Sequence, residues 1–162
     1  MNASRRKLMS IALLSATVFS LAIPTAEAAF AAYRQRYSSW SYYPARSYYY
    51  RTYYYKPAVS YSSYNHHYCV YYTSRPSYVY YYNPVRRVYW GRYDLKAGGY
   101  SMLEEKDRSG DLESIPESAF PAPGEMPVIP DSEDGERIER PDPNDLPTAD
   151  APNDVPGTEP KS

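Results

Sequence analysis

The chain has 162 residues and a net charge of −1, and beyond Ala28 it holds only 16 Ile, Leu, Val and Phe in 134 residues. That is far below a packed globular domain, and a core of tyrosine would have to partner many buried hydroxyls, so no large core is expected. The near-zero charge hides a split: residues 29–100 carry 10 Lys and Arg against Asp94 alone (+9), and residues 101–162 carry 5 against 17 Asp and Glu (−12). Two histidines and one cysteine leave little from which to build a catalytic centre, so no enzyme and no cofactor is expected.

Residues 1–28 have the three parts of an export signal. Arg5, Arg6 and Lys7 make a positive start, residues 8–23 are apolar, and Ala26-Glu27-Ala28 puts small residues where a signal peptidase reads. Cleavage is predicted before Ala29, and the apolar run is short for a membrane span. Ser4-Arg5-Arg6-Lys7-Leu8-Met9 also resembles a twin-arginine signal, so the export route stays open. The predicted location is secreted, periplasmic or in the cell envelope, with no span in the mature chain.

Residues 29–76 are a low-complexity segment rich in Tyr and Arg. All 22 tyrosines fall within residues 33–100, with eight arginines threaded among them. Tyrosine favours strands, but here it occupies both alternating faces, which specifies register weakly. The segment therefore reads as disordered and self-associating, through guanidinium–ring contacts worth about 0.5–1 kcal/mol each and summed by multivalency. Oxidative coupling of phenols outside the cell would fix such contacts covalently.

His66, His67 and Cys69 stand within four residues and are candidate copper or zinc ligands. A closed site needs a fourth ligand, and the chain has no other His or Cys, so no metal is expected. Cys69 has no partner within the chain and suggests an intermolecular disulfide or a free thiol. A basic aromatic block also resembles a platform for single-stranded nucleic acid. Export and the acidic tail argue against that partner.

Residues 77–108 have a different texture. Residues 77–82, 85–93 and 100–105 are strand-like runs, separated by Asn83-Pro84 and by a loop holding Gly98 and Gly99. They predict a small three-stranded β-meander with Tyr93 opposite Tyr100 and Trp90 near Leu103. Val88, Trp90 and Leu103 are expected on one face, and Arg86, Arg87 and Arg92 opposite Glu104, Glu105 and Asp107. Tyr89, Trp90, Arg92, Tyr93 and Tyr100 are the candidate binding residues, for a glycan or a proline-rich peptide.

The stretch YYYNPVRRVYWGRYDLKAGGYSMLEEKDR, continuing into IPESAFPAPGEMPVIP, is similar to segments that end secreted Tyr/Pro-rich proteins of planctomycete bacteria. The likeness covers residues 80–130. It implies an envelope setting and a shared module, and it carries over no catalytic residue.

Residues 109–162 are acidic and proline-rich, with scarce aliphatic side chains, and read as a disordered tail. Its charge makes it a counterweight to the block, within one chain or between chains. The predicted fold class is thus mostly disordered, with a signal-peptide helix and one small all-β meander. The predicted function is a structural or interaction protein of the bacterial envelope that self-associates through Tyr/Arg contacts. The alternative is a small glycan- or peptide-binding module using the Trp90 face.

Overall fold

The computed structural model describes residues 34–148. The export signal read at residues 1–28 lies outside the described residues. Within them the chain forms one antiparallel sheet of seven strands, curled into a half-barrel. The strands are β1 (Gln35–Tyr37), β2 (Ser41–Tyr43), β3 (Tyr48–Tyr55), β4 (Asn65–Tyr71), β5 (Tyr78–Asn83), β6 (Val88–Asp94) and β7 (Gly99–Met102). From β3 onward each strand pairs with the next, in the order β3-β4-β5-β6-β7. β1 and β2 are two halves of a broken edge strand, β1 pairing with the end of β3 and β2 with its start.

This overturns the expectation of a mostly disordered chain with a single meander of residues 77–108. Those residues do form β5, β6 and β7, with Tyr93 paired to Tyr100. They are one half of a larger sheet, whose other half is the tyrosine block. In β3 and β4 the first-face rings are buried, whereas Tyr50, Tyr54, His66 and Tyr68 on the second face are half-buried against one another, so aromatic rings on both faces are a workable pattern. In the observed register Arg51 pairs with Cys69, and Cys69 with Tyr81, along one row of the first face.

The first face carries Tyr49, Tyr53 and Tyr55 of β3, Cys69 and Tyr71 of β4, Val79 and Tyr81 of β5, Trp90 and Tyr93 of β6, and Tyr100 of β7. The tail covers it. Met126, Ile129, Ile138 and Leu146 pack on these rings, and the strap runs from one sheet edge to the other. At β7 the backbones of Tyr100 and Gly124 exchange two hydrogen bonds of 2.9 Å. At β1 the Gln35 amide donates to Glu136 Oε1 and to the Arg137 carbonyl, both at 2.9 Å. Buried Arg34 meets Asp134 and Glu136 there, the latter at 2.6 Å, and Arg51 meets Asp145 at 2.6 Å.

So the tail, as far as residue 148, is ordered, contrary to its reading as disordered. Its aliphatic side chains are few, but each lands on a wide aromatic surface. A strap needs only spaced anchors when the sheet supplies the rest of the core. Four of the tail's carboxylates, Glu117, Asp134, Glu136 and Asp145, pair with Arg92, Arg34 and Arg51 of the block, which converts part of the charge split into a fold contact.

The second face is covered only in part. Leu103, just after β7, and Leu112, Ile115, Ala119 and Phe120, in or capping short 3₁₀ turns, pack against Tyr80 and Tyr89. Arg92 reaches from β6 to Glu117, with Nη1 donating to Oε2 at 2.8 Å. Its guanidinium is held between the rings of Tyr78 (3.8 Å) and Phe120 (4.0 Å).

A β-bulge in β6 redirects the residues expected on one face. Tyr82 pairs with Tyr89 but Tyr81 with Gly91, leaving Trp90 as the extra residue. Trp90 and Gly91 therefore face the same way, and Trp90 joins the first face while Leu103 belongs to the second. A Cβ on Gly91 would stand 2.3 Å from the Tyr100 hydroxyl, so only glycine fits beneath that ring. Of the expected charge pairs, Arg86 meets Glu105 at 3.1 Å, whereas Arg92 is taken by Glu117.

Candidate functional site

The residues singled out in the sequence do not form one surface. Trp90, Tyr93 and Tyr100 lie under the strap on the first face, and Tyr89 and Arg92 lie on the second beneath the 3₁₀ segment. All five are buried, Trp90 with only 8% of its surface exposed. Trp90 packs against His67 (ring centroids 4.9 Å apart), Tyr81 and Tyr100 (6.0 Å each). It is a core residue and presents no open ring to a ligand.

Strand alternation also divides the metal candidates. His66 points to the second face, between Tyr54 and Tyr68, while His67 and Cys69 point to the first. Among the described residues no three His, Cys, Asp or Glu side chains converge on a metal position. Burial lowers the His67 pKa to about 4, with His66 adding a smaller push. Burial raises the Cys69 thiol to about 12, against the lowering influence of Arg51. With no exposed surface, Cys69 reaches another chain only if the sheet opens.

What remains accessible is the β3–β4 half of the second face. The 3₁₀ segment makes its contacts on β5 and β6, where Tyr80 is 1% and Tyr89 6% exposed. Tyr50 and Tyr54 of β3, His66 and Tyr68 of β4, and Tyr82 of β5 face the same way and are only half-buried. They form a continuous row. Tyr54 is 6.3 Å from His66, His66 is 5.6 Å from Tyr68, and Tyr68 is 6.0 Å from Tyr50. The Tyr50–Tyr68 pair is edge-to-face at 87°, an arrangement favoured by the ring quadrupoles. Burial and neighbouring phenols raise the Tyr68 pKa, so its hydroxyl stays protonated at neutral pH and can donate as well as accept.

Two cations border this row. The Arg36 guanidinium lies over Tyr54 at 4.4 Å and Tyr64 at 5.0 Å, and the Lys56 ammonium over Tyr64 at 4.7 Å. At the opposite end of the strands the face runs into a cavity of about 280 Å³ lined by Arg46, Tyr72, Arg75, Tyr89, Asp111 and Glu113. There the Tyr72 and Tyr89 hydroxyls share a hydrogen bond of 3.1 Å. Composition signalled sticky rings, but which rings stay open depends on where the tail lands, and no local pattern in the sequence carries that.

No family model matches the chain, and no curated protein or solved structure matches it. None of these comparisons bears on the likeness to planctomycete proteins. No helix among the described residues is long and apolar enough to cross a membrane.

Proposed function

We propose that this chain is a glycan-binding module of an exported envelope protein, holding a polysaccharide against the open tyrosine row of β3 and β4. The observation that carries the reading is the half-buried row of Tyr50, Tyr54, His66 and Tyr68. It sits on a paired, rigid sheet, with each ring fixed by a neighbour. A pyranose has an apolar C–H face that packs on a ring and hydroxyls that bond to phenols. The row offers both in a surface rather than an enclosed cavity, which suits a polymer lying across it.

The site is not the Trp90 face expected from the sequence, because that face is core. Nor does the reading need a disordered block, since ordered rings lose less freedom on binding. The test is affinity electrophoresis of the full chain through gels containing soluble polysaccharides, neutral and acidic. Retardation is expected. Tyr54→Leu with Tyr68→Leu should weaken it about tenfold or more, at roughly 0.5–1.5 kcal/mol per ring, with an unchanged melting profile as the folding control. Equal mobility with and without every polymer, or full retention by the folded double variant, contradicts the proposal.

A further inference from the structure

The Tyr54–Tyr64 corner of the open face is cationic, through Arg36 and Lys56, and its strands supply no carboxylate; Asp111 and Glu113 lie at the far end, beside Arg46 and Arg75. Between Ala29 and Tyr93 the sequence contains no Asp or Glu, so β1 to β5 contribute none. Several tail carboxylates near the block are committed elsewhere: Asp134 and Glu136 to Arg34, Asp145 to Arg51, and Glu117 to Arg92, while Asp131 and Glu139 act on Tyr55 and Tyr53 of the first face. Arg36 is different. It is exposed, and pairing with Tyr54 places it on the second face, in one row with His66 across β1, β3 and β4.

The side-chain partners of Arg36 and Lys56 among the described residues are rings. Stacking satisfies the face of a guanidinium but leaves its N–H edge free for an oxygen acceptor. The ring also fixes the cation beside the spot where a sugar would pack.

We infer that the open face selects acidic glycans, polymers whose sugar rings carry carboxylates. This rests on the glycan-binding reading above. The pyranose packs on His66 and Tyr68, beside the Tyr54 and Tyr64 rings that the cations cover, while its carboxylate accepts hydrogen bonds from Arg36 and Lys56, and Tyr50 extends the track to the next sugar. The whole chain carries a net charge of only −1, so the attraction is local to this corner. The absence of acidic residues from β1 to β5 then acts as a specificity device. A carboxylate among those rings would repel the ligand.

The experiment compares polygalacturonate with its fully methyl-esterified form, a pair that differs in charge and little in shape. Binding of the full chain is followed by tyrosine fluorescence at low and high salt. Wild type should bind the acid at least about tenfold more tightly, since two charge-assisted contacts are at stake. High salt should narrow the gap, because exposed charges are screened. Arg36→Gln with Lys56→Gln should bring the two polymers to within about twofold of each other. Arg36→Lys with Lys56→Arg, which keeps both charges, should retain the preference.

Equal binding of both polymers by wild type overturns the inference while the glycan-binding reading stands. Undiminished preference in the folded Gln variant overturns the assignment to these two residues. Binding of neither polymer by wild type overturns the underlying reading as well. The same holds if sedimentation shows the face taken up by a second copy of the chain.

Discussion

His67 makes the fold sensitive to mild acid. The ring is 4% exposed, packs on Trp90 and Tyr55, and has a folded pKa of about 4 against an ordinary 6.5. Its Nε2 lies 3.4 Å from the Tyr55 hydroxyl, and Nδ1 is buried without a partner among the described residues, so a second proton would place an unpaired charge in the core. The unfolded chain takes up that proton as pH falls through 6.5, and the folded chain resists until about 4. Between those values the unfolded state binds more protons, so stability is full above pH 6.5 and falls as pH drops. A depression from 6.5 to about 4 corresponds to roughly 3 kcal/mol, most of it lost by pH 4.5. Urea unfolding followed by circular dichroism at pH 7.5, 6.5, 5.5 and 4.5 measures it. The midpoint should move down with an unchanged slope. His67→Gln, which cannot titrate, should give a markedly flatter profile. Parallel profiles for wild type and variant across that window would show that His67 does not set the acid sensitivity.

Other substitutions probe the packing. Gly91→Ala places a methyl against the Tyr100 hydroxyl and should cost about 1–3 kcal/mol in the same urea assay. Ile138→Ala removes a strap anchor that is 2% exposed and should cost about 2–4 kcal/mol; a disordered tail would show no change. Arg87 has φ of 57° in the β5–β6 turn, so Arg87→Gly should raise stability by up to about 1 kcal/mol. Native Cys69 should react with a thiol reagent only at the rate of sheet opening and at once in denaturant, since it has no exposed surface. Fast labelling of the native chain would contradict that.

The β5–β7 half of the sheet was legible because its runs are punctuated. Asn83 accepts from the backbones of Val85 and Arg86 at 2.9 and 3.0 Å, and Gly98, with φ of 70°, closes the next turn. Those signals place Tyr93 opposite Tyr100 without knowledge of the fold. The β3–β4 half was not legible, because TyrTyrTyrArgThrTyrTyrTyr has no alternation to read. Its inward and outward faces exist only once the strap is in place. The strap itself is announced by nothing local: Ile129 and Ile138 are single aliphatic residues among prolines and carboxylates, and their partners lie far back in the sequence. Trp90 misled for a geometric reason, since one extra residue in β6 moved it to the opposite face from Leu103. The charge split was visible from composition, but its role as a set of strap-to-sheet ion pairs was not.

The most direct measurement is a residue-resolved NMR titration of the full chain with polygalacturonate. Shifts are expected at Tyr50, Tyr54, His66 and Tyr68 and at the Arg36 guanidinium, with the Trp90 indole N–H unmoved. Shifts centred on Trp90, or resonances of β3 and β4 collapsed into the unfolded range before any polymer is added, would contradict a binding site on the ordered row of β3 and β4.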